Sequence, residues 1–258
     1  HDRQTGITSL VSMDANGQPA DRRAWLPDIS PDGRYIVYSS HSSNLVVPDM
    51  NGIKRDAFIY DRVTGTTEYA DIMSNGLNPW SGGSIAAISA EGRVVTYRSK
   101  ASDLVRDDTN RKFDIFAYER STLDIKRVSV STTGRQATSD AHNPQVSADG
   151  RFVVYESPAQ LDSRDQNSSI DVYVHYLPAA ATSLASLNAN GHAGNNPSVT
   201  PVLSGDGRYI AYSSKSSDLV PGDTNGLSDV FIFDQATGET TRVSLGNNNQ
   251  QATGGVST

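Results

Sequence analysis

The stretch Ser30-Pro-Asp-Gly-Arg-Tyr-Ile-Val-Tyr-Ser39 occurs in four versions along the chain. Each version places an Asp-Gly or Glu-Gly turn before a run of β-branched and aromatic residues, which is typical of a β-strand entered from a tight hairpin. Four matches at nearly constant spacing predict a structural repeat with an average period of 58 residues. The glycines of the four versions are Gly33, Gly92, Gly150 and Gly207, with spacings of 59, 58 and 57.

Four strands are predicted in each repeat. The first is a short apolar stretch that ends at the Asp/Glu-Gly turn, and the second is the β-branched run that follows it. The third begins at an aspartate, and a Thr-Gly turn leads from it to the fourth at Thr64-Gly65 and Thr237-Gly238. In the third repeat Pro178-Ala-Ala-Ala replaces this turn, which predicts an irregular edge there. No segment shows a helical apolar period, so no helix is predicted.

A four-stranded meander that repeats every 40 to 60 residues or so is typical of a β-propeller, whose blades bury by stacking the faces that one blade cannot bury alone. A β-solenoid has a far shorter repeat. The predicted fold class is therefore all-β: a single β-propeller over residues 1–258, with four complete repeats of four-stranded antiparallel blades. The blades are expected at about 28–73, 85–131, 144–188 and 201–246.

The chain opens inside a repeat. His1-Asp-Arg-Gln-Thr-Gly6 matches Tyr60-Asp-Arg-Val-Thr-Gly65, which is the end of a third strand and the turn after it. Ile7 to Ser12 is therefore predicted to be an orphan fourth strand. Since the last blade already has its own fourth strand, either this orphan belongs to a fifth blade whose other strands are absent, or the ring is larger. We expect the second, with the sequence an excerpt of a longer chain.

The repeat resembles a known family. Ser-x-Asp-Gly-Arg-Tyr-Ile-x-Tyr-Ser-Ser, followed by Asp-Val-Phe-Ile-Phe-Asp and a Thr-Gly turn, is similar to the WD40-like (PD40) repeat of the TolB type. The stretch from Ser216 to Gly226 resembles the version found in secreted bacterial proteins. The resemblance covers nearly the whole chain. It implies a propeller and an extracytoplasmic location (secreted, cell-surface or periplasmic), whereas function varies widely among such propellers.

Composition excludes several classes of protein. The chain has 29 acidic residues against 22 Lys and Arg, a net charge of −7, and no basic run. It is therefore not expected to bind nucleic acid, since phosphate binding depends on Lys and Arg. No apolar stretch approaches the length of about 20 residues that crosses a bilayer, so no membrane insertion is expected. The absence of Cys excludes disulfides, zinc–thiolate sites and cysteine nucleophiles.

The connections between strands are predicted to lie on two unequal faces. Alternate connections of a meander emerge on the same side, so the tight Asp-Gly and Thr-Gly turns share one face. The loops from the second to the third strand, and from the fourth strand to the next repeat, share the other and are roughly 15 residues long. Long loops on a rigid scaffold commonly carry function, so this face is the predicted ligand face.

The second-to-third-strand loops contain an Asp-x-Asn-x3-Asp pattern. Oxygen ligands at every second position can wrap a hard cation, which predicts calcium as a cofactor. The alternative is that Asp and Asn form Asx-turns with their own backbone. The Asp223 loop is the better calcium candidate because Gly226 permits a sharp turn. The candidate ligands are Asp49, Asn51 and Asp56; Asp108, Asn110 and Asp114; Asp165, Asn167 and Asp171; and Asp223, Asn225 and Asp229.

The loops before the first strands contain the candidate ligand-binding residues. Trp25 and Trp80 lie just before a first strand, where an exposed indole could stack on a sugar or anchor a protein. The alternative is that each indole fills the gap between two blades. His142 and His192 fall in equivalent loops and complete the candidate set, although their spacing is not that of metal ligands. The alternative for both is that they are ordinary surface residues.

Most repeated polar and aromatic residues are expected to be structural. The arginine after each Asp/Glu-Gly turn is predicted to reach a neighbouring carboxylate, and the tyrosine four residues later is predicted to pack between blades. The arginines are Arg34, Arg93, Arg151 and Arg208, and the tyrosines are Tyr38, Tyr97, Tyr155 and Tyr212.

Catalytic motifs are lacking: the sequence has no Gly-x-Ser-x-Gly, Walker or His-Glu-x-x-His pattern. Residues that break the repeat are the remaining candidates, since one active site needs one acid. They are Glu156, Arg98, His142 and His175. Glu156 and Arg98 occupy the same repeat position in adjacent blades, which predicts a salt bridge between them.

Two functions from different classes are therefore predicted. The first is a non-catalytic extracellular or periplasmic binding platform that holds a glycan or protein ligand on its long-loop face. The alternative is a propeller enzyme, or an enzyme domain, that acts on polysaccharide or peptide.

Overall fold

The computed structural model describes residues 1–73 and 79–252 and confirms the predicted all-β propeller fold. Its strands form four antiparallel sheets of four consecutive strands each, one per repeat. The described residues contain no α-helix, only a 3-10 turn at Ala90–Gly92. The strands are β1 (Ala24–Ile29), β2 (Tyr35–Ser40), β3 (Asp56–Asp61), β4 (Thr66–Tyr69), β5 (Gly83–Ile88), β6 (Val94–Ser99), β7 (Asp114–Glu119), β8 (Asp124–Arg127), β9 (His142–Val146), β10 (Phe152–Ser157), β11 (Asp171–Tyr176), β12 (Ala181–Leu184), β13 (Ser198–Leu203), β14 (Tyr209–Ser214), β15 (Asp229–Asp234) and β16 (Glu239–Arg242).

The repeated Ser-x-Asp-Gly-Arg motif closes the hairpin between the first and second strands. In the first repeat the Ser30 hydroxyl accepts a hydrogen bond from the Tyr35 N–H at 2.9 Å. Gly33 takes a φ of +71°, a conformation that glycine adopts without a steric penalty. The other repeats use the same bond, so the motif fixes where each second strand begins. The equivalent pairs are Ser89–Val94, Ser147–Phe152 and Ser204–Tyr209.

Stacked aromatic rings hold the second and third strands of each sheet. Tyr38 stacks on Phe58 with ring centroids 5.7 Å apart, and both side chains are buried. Successive sheets then pack against each other, with β2 on β5, β6 on β9 and β10 on β13. The tyrosines predicted to pack between blades are therefore core residues. The equivalent ring pairs are Tyr97–Phe116, Tyr155–Tyr173 and Tyr212–Phe231.

The edge predicted to be irregular in the third repeat is regular. β12 pairs with β11 in unbroken register from Tyr176–Ala181 to Tyr173–Leu184. Ala180 makes the turn by taking a φ of +50° where the first repeat has Gly65 at +71°. The prediction was wrong because a non-glycine residue can adopt this conformation at a cost of about 1–2 kcal/mol.

The N-terminal segment occupies the place of an outer strand without forming one. Gly6 N–H donates to Asp2 O at 2.9 Å, which is the bond that closes the equivalent turn of the first repeat. Residues 7–12, predicted as an orphan strand, have no strand partner in the described chain, and Ile7 is 60% exposed. The following segment still packs on the first sheet, where the Thr67 hydroxyl donates to Met13 O at 2.8 Å.

The two kinds of connection lie at opposite ends of the sheets, as predicted from the meander. The end with the tight turns is called the short-turn face, and the other end the long-loop face. Four loops of thirteen to fifteen residues join second to third strands on the long-loop face, at 41–55, 100–113, 158–170 and 215–228. The tight turns that define the short-turn face contain Gly33, Gly92, Gly150 and Gly207.

Candidate ligand-binding site on the long-loop face

The aspartates that open the third strands are buried beneath the long loops. Asp114 and Asp171 are 0% exposed, and Asp229 is 1% exposed. Each accepts a hydrogen bond from a serine hydroxyl beyond the fourth strand, and that serine also accepts an N–H from the third strand. These carboxylates therefore tie a long loop to the sheet below it. The serine partners are Ser129, Ser186 and Ser244, at 2.5, 2.6 and 2.5 Å.

In the second blade an arginine lies among the predicted calcium ligands. Arg127, in β8, places Nη1 3.0 Å from Asp108 Oδ1 and 3.8 Å from Asp114 Oδ2. The Asn110 amide donates to Asp114 Oδ2 at 2.8 Å, so this asparagine directs a nitrogen, not an oxygen, at the carboxylate. A guanidinium therefore fills the position that a cation would take.

The fourth blade repeats this arrangement at the loop predicted to be the better calcium candidate. Arg242 Nη1 lies 3.0 Å from Asp223 Oδ1 and 3.6 Å from Asp229 Oδ2. The Asn225 amide donates to Asp229 at 3.0 Å. Both blades with an arginine at the end of the fourth strand thus have their carboxylates neutralised from within the chain, and their loops do not fit calcium.

The third blade lacks this arginine and has Leu184 in its place. The Tyr173 hydroxyl donates to Asp165 Oδ2, and Asp165 Oδ1 accepts the Asn167 N–H at 3.1 Å in an Asx-turn. Burial, the largest effect, raises the pKa of Asp171 to about 7 against the hydrogen bond from Ser186. Because no guanidinium lies beside it, the Asp171 carboxyl keeps its proton to a much higher pH than an aspartate in water does.

In the first blade an aspartate, Asp71, takes the place of the serine that follows the fourth strand in the other three blades. Asp71 is fully buried, and its Oδ1 accepts the Ala57 N–H at 3.0 Å, the bond that serine makes elsewhere. Burial and the neighbouring Asp56 raise the pKa of Asp71 well above its ordinary value. Asp49 Oδ1 accepts the N–H groups of Asn51 and Gly52 at 3.0 and 2.9 Å, again an Asx-turn.

Each of the four loops thus contains an Asx-turn formed by one of its predicted calcium ligands. Asn110 Oδ1 accepts the Lys112 N–H at 2.8 Å, and Asn225 Oδ1 accepts the Leu227 N–H at 2.9 Å. Within residues 1–73 and 79–252, no group of three or more His, Cys, Asp or Glu is placed to hold a metal. Calcium binding therefore stays a prediction, limited by fit to the first and third blades.

Trp25 lies in a pocket on the long-loop face. It belongs to β1, opposite Ser39 of β2, and its ring meets His41 edge-on with centroids 5.3 Å apart. The Arg55 guanidinium lies 5.2 Å from the indole centroid. The cavity has a volume of about 420 Å³ and is called the Trp25 pocket. It is lined by Arg22, Arg23, Trp25, His41 and Ile53.

Hydrogen bonds hold the backbone of the Trp25 pocket in place. The Ser42 hydroxyl accepts the Arg22 N–H at 3.0 Å, and the Ser40 hydroxyl donates to Arg23 O at 2.8 Å. His41 Nδ1 lies 2.9 Å from Ile53 O, which ties the 41–55 loop to the end of β2. The side chains of Arg22 and Arg23 are exposed, while these hydrogen bonds fix the backbone from which they extend.

The other three predicted ligand residues do not join Trp25. Trp80 is 75% exposed in the loop before β5, and its backbone N–H donates to Asp103 at 3.3 Å. His142 lies in β9 opposite Glu156, half-buried, and burial together with the positive Arg98 lowers its pKa. His192 is exposed in the turn before β13. The structure therefore supports Trp25 as the centre of a pocket and leaves the others at separate places.

Four lining residues of the Trp25 pocket, and Arg55 beside it, were missed by the sequence analysis. Arg22 and Arg23 lie close before Trp25 in the sequence. This pair of arginines near a tryptophan is the sequence feature that could have indicated them. His41, Ile53 and Arg55 come from the 41–55 loop, and only the pairing of β1 with β2 brings them to the indole.

The predicted salt bridge between Arg98 and Glu156 is wrong. Arg98 Nε donates to Ala141 O at 2.9 Å, and its guanidinium lies 3.7 Å from the Phe113 ring centroid. Glu156 accepts the Asn143 amide at 2.9 Å and the Thr200 N–H at 2.5 Å. Glu156 reaches Thr200 in the first strand of the following blade, and Arg98 reaches Ala141 just before such a strand, so both residues join blades where the repeat has serine.

Comparison with known proteins supports the fold. No family model matches the chain, and no curated protein matches it. TolB from Acinetobacter baumannii has 17% sequence identity and a TM-score of 0.51, with 86% of this chain and 43% of that one covered. The β-propeller domain of the Trilobed protease from Pyrococcus furiosus has 11% identity and a TM-score of 0.52, with 87% and 57% covered.

The chain thus spans about half the length of these two structures, and at such identities the likeness concerns fold alone. No helix among the described residues has the length and apolar character needed to span a membrane. Four consecutive antiparallel sheets, repeated Ser-x-Asp-Gly-Arg hairpins and these neighbours agree with one another. The chain therefore has a TolB-like β-propeller fold.

Proposed function

We propose that the chain is a non-catalytic binding platform that works outside the cytoplasm and holds a glycan or protein ligand on its long-loop face. The observation that carries this proposal is the Trp25 pocket, an open cavity with an aromatic wall and hydrogen-bonded edges. Pockets that combine apolar walls with a few polar groups are the usual ligand sites of proteins. The extracytoplasmic location rests on the resemblance of the repeat to secreted and periplasmic bacterial proteins.

The repeat-breaking residues favour a non-catalytic role. Both carboxylate oxygens of Glu156 are used in hydrogen bonds to Asn143 and Thr200, so this acid is engaged in holding two blades together. His175 is 2% exposed, and its Nδ1 lies 2.8 Å from the Thr182 hydroxyl. Groups engaged in this way serve the architecture of the repeat, and none of them lines the Trp25 pocket.

The proposal is tested by screening the protein against glycan and protein arrays. Trp25→Ala should remove binding, whereas Tyr209→Ala, which truncates a 40% exposed aromatic beside the short-turn face, should leave it unchanged. Trp80→Ala separates the two tryptophans. Loss of binding in Tyr209→Ala but not in Trp25→Ala would place the ligand on the other face.

Calcium stabilisation is proposed only for the first and third blades, whose loops contain no arginine among the candidate ligands. Bound calcium would raise the melting temperature by mass action, since the unfolded chain has no preformed site. Melts with excess EDTA and with millimolar Ca²⁺ should then differ, and Asp165→Ala should reduce the difference while Asp223→Ala should not. An unchanged midpoint in the parent protein would leave the Asx-turns as the full explanation.

The alternative function, an enzyme or enzyme domain that acts on polysaccharide or peptide, makes a different prediction. Any ligand found on the arrays would be converted to product on incubation with the protein. Product that disappears in Glu156→Gln or His175→Gln, with the fold intact by circular dichroism, would favour this alternative over the binding platform.

A further inference from the structure

Four arginines at the long-loop end of the first two blades have no acidic partner. None of Arg22, Arg23, Arg55 and Arg98 forms an ion pair within 4.0 Å in the described part of the chain. The chain carries a net charge of −7, so acidic groups to pair with them are plentiful elsewhere. These arginines therefore make this part of the surface positive, although the chain as a whole is negative.

The unpaired arginines converge on the Trp25 pocket. Arg22 and Arg23 line it, and Arg55 lies over the indole at 5.2 Å. Arg98 continues the positive charge into the second blade. Burial lowers the pKa of Arg98, the nearby Asp140 opposes this effect, and Arg55 lowers the pKa by a smaller amount, so the two guanidiniums lie within electrostatic range of each other. Positive charge grouped around one indole, with no ion pair among the described residues to balance it, favours the binding of an anion.

We propose that the Trp25 pocket binds an acidic polysaccharide, one that carries carboxylate or sulfate groups on its sugar rings. Guanidinium groups present a planar fork of donors that matches carboxylates and oxyanions, and they are weakly hydrated compared with lysine. The indole of Trp25 offers a flat apolar surface to the C–H face of a sugar ring. The inference rests on the proposed binding function and names the class of its ligand.

An acidic sugar suits this pocket better than an acidic peptide does. A uronic acid unit joins an apolar ring face and a carboxylate in one rigid residue, and the pocket joins an aromatic wall and guanidiniums within one cavity. Rigid partners lose little conformational entropy on binding. A polysaccharide also repeats its charge at each unit, which fits the three arginines Arg22, Arg23 and Arg55 grouped around one indole.

The test compares four probes on the intact chain by calorimetry at low and moderate salt. They are oligogalacturonate, heparin oligosaccharide, neutral dextran of matched length and poly-glutamate. Oligogalacturonate or heparin should bind, more weakly as salt rises, because the charges are exposed and screened. Comparison of the two shows whether carboxylate or sulfate is preferred, and either supports the proposal.

Variants locate the contact. Arg23→Gln and Arg55→Gln should each weaken binding about tenfold, since a charge-assisted hydrogen bond contributes on this scale. Trp25→Leu should weaken binding at every salt concentration. Arg151→Gln is the matched control: it removes one positive charge from the short-turn face, where Arg151 pairs with Asp149, and should leave affinity unchanged.

Several results would overturn the inference, and they differ in whether the proposed binding function is retained. Dextran that binds as well as the acidic probes, lost in Trp25→Leu but not in Arg55→Gln, would retain the binding platform and reject the acidic ligand. Poly-glutamate that binds as tightly as the oligosaccharides would show a general anion surface and reject a site for sugars. No affinity for any acidic probe at low salt would reject the inference while array ligands could still support the proposed function.

Discussion

Arginine plays different roles at the two ends of the propeller. On the short-turn face, Arg34 meets Asp61 at 2.7 Å and Arg93 meets Glu119 at 2.7 Å, as predicted for the arginine of each hairpin. At the long-loop end of the first blade, Arg22, Arg23 and Arg55 have no such partner in the described chain. Where arginine and acid recur together in the repeat they form ion pairs that support the fold, whereas the three arginines around Trp25 form no ion pair with any described residue.

Beneath the long loops a third environment occurs, in which arginine is buried. The side chains of Arg127 and Arg242 are 8% exposed and lie among carboxylates that are nearly inaccessible. Burial raises the pKa of Asp108 and Asp114 in the second blade, where Arg127 opposes it, and it raises the pKa of Asp71 and Asp171 in the first and third blades, which have no arginine there. The same loop motif thus has a buried arginine beside its carboxylates in two blades, whereas in the third blade no arginine opposes the effect of burial and the pKa of Asp171 is about 7.

The largest expected effect comes from converting the second blade to the arrangement of the third. Arg127→Leu places in β8 the residue type that β12 has at Leu184 and leaves Asp108 and Asp114 buried without their cation. Removing one partner of a buried pair costs about 3–5 kcal/mol, which denaturant unfolding would measure. Lys126→Leu is the control, since Lys126 is 58% exposed and should change stability by less than about 0.5 kcal/mol. Equal losses in both variants would show that Arg127 does not compensate those carboxylates.

The pH dependence of stability should distinguish the two ways of neutralising a carboxyl. The folded chain holds the Asp171 proton up to about pH 7, whereas an unfolded aspartate loses it near pH 4. Between those values the folded state binds more protons, so this group makes stability fall as pH rises. His175, whose pKa burial lowers to about 4, acts in the opposite direction over a similar range.

The measurement is therefore the difference between parent and Asp171→Asn, in which the His175 contribution cancels. From pH 4 to pH 7 the parent should lose about 2–4 kcal/mol relative to the variant. Asp61→Asn provides the contrast from the short-turn face. Arg34 holds the pKa of Asp61 at about 2, so the stability that Asp61 gives is present above pH 4 and lost as pH falls toward 2. A parallel pair of curves for Asp171→Asn would contradict the raised pKa.

The repeated features of the fold could be predicted from the sequence, and the departures from the repeat could not. Ser-x-Asp-Gly-Arg and the following tyrosine predicted both the hairpins and the packing of Tyr38, because local hydrogen bonds and strand period fix them. Arg98 and Glu156 were paired incorrectly because equal repeat positions lie on different blades, and each side chain instead contacts the following blade, at Ala141 and Thr200. Contacts between blades depend on the placement of whole sheets, which spacing along the chain does not specify.

For the Trp25 pocket, too, the sequence could indicate single residues but not the contacts between distant segments. Trp25 could be selected because tryptophan is rare in this chain, with two in 258 residues. His41 and Ile53 could not, since only the register of β1 on β2 carries the 41–55 loop to the indole. In the Asp-x-Asn-x3-Asp loops the sequence left two alternatives, and the residue that distinguishes the blades, Arg127 or Leu184, lies outside the motif at the end of the fourth strand.

A smaller effect is expected where one blade is joined to the next. Glu156→Gln keeps the shape but replaces one accepting oxygen with an NH2 group, which would face either the Asn143 amide or the Thr200 N–H. Losing one such bond to a charged acceptor costs about 1–3 kcal/mol in denaturant unfolding. Glu239→Gln, at an exposed position of β16, should have little effect and controls for the removed charge. An unchanged midpoint in Glu156→Gln would mean that this carboxylate does not hold the third and fourth blades together.

The smallest effect distinguishes an arginine of the short-turn face from an arginine of the Trp25 pocket. Arg93→Gln breaks a half-exposed ion pair to Glu119 and should cost no more than about 1 kcal/mol, with a larger loss at low salt than at high salt. Arg23→Gln removes the same charge from the Trp25 pocket, where no carboxylate is lost and repulsion among arginines is relieved. Its stability should stay equal to the parent or rise slightly, and the difference should shrink as salt increases. If Arg23→Gln destabilised the fold as much as Arg93→Gln does, Arg23 would have a structural partner. It would then not be free to bind an acidic ligand.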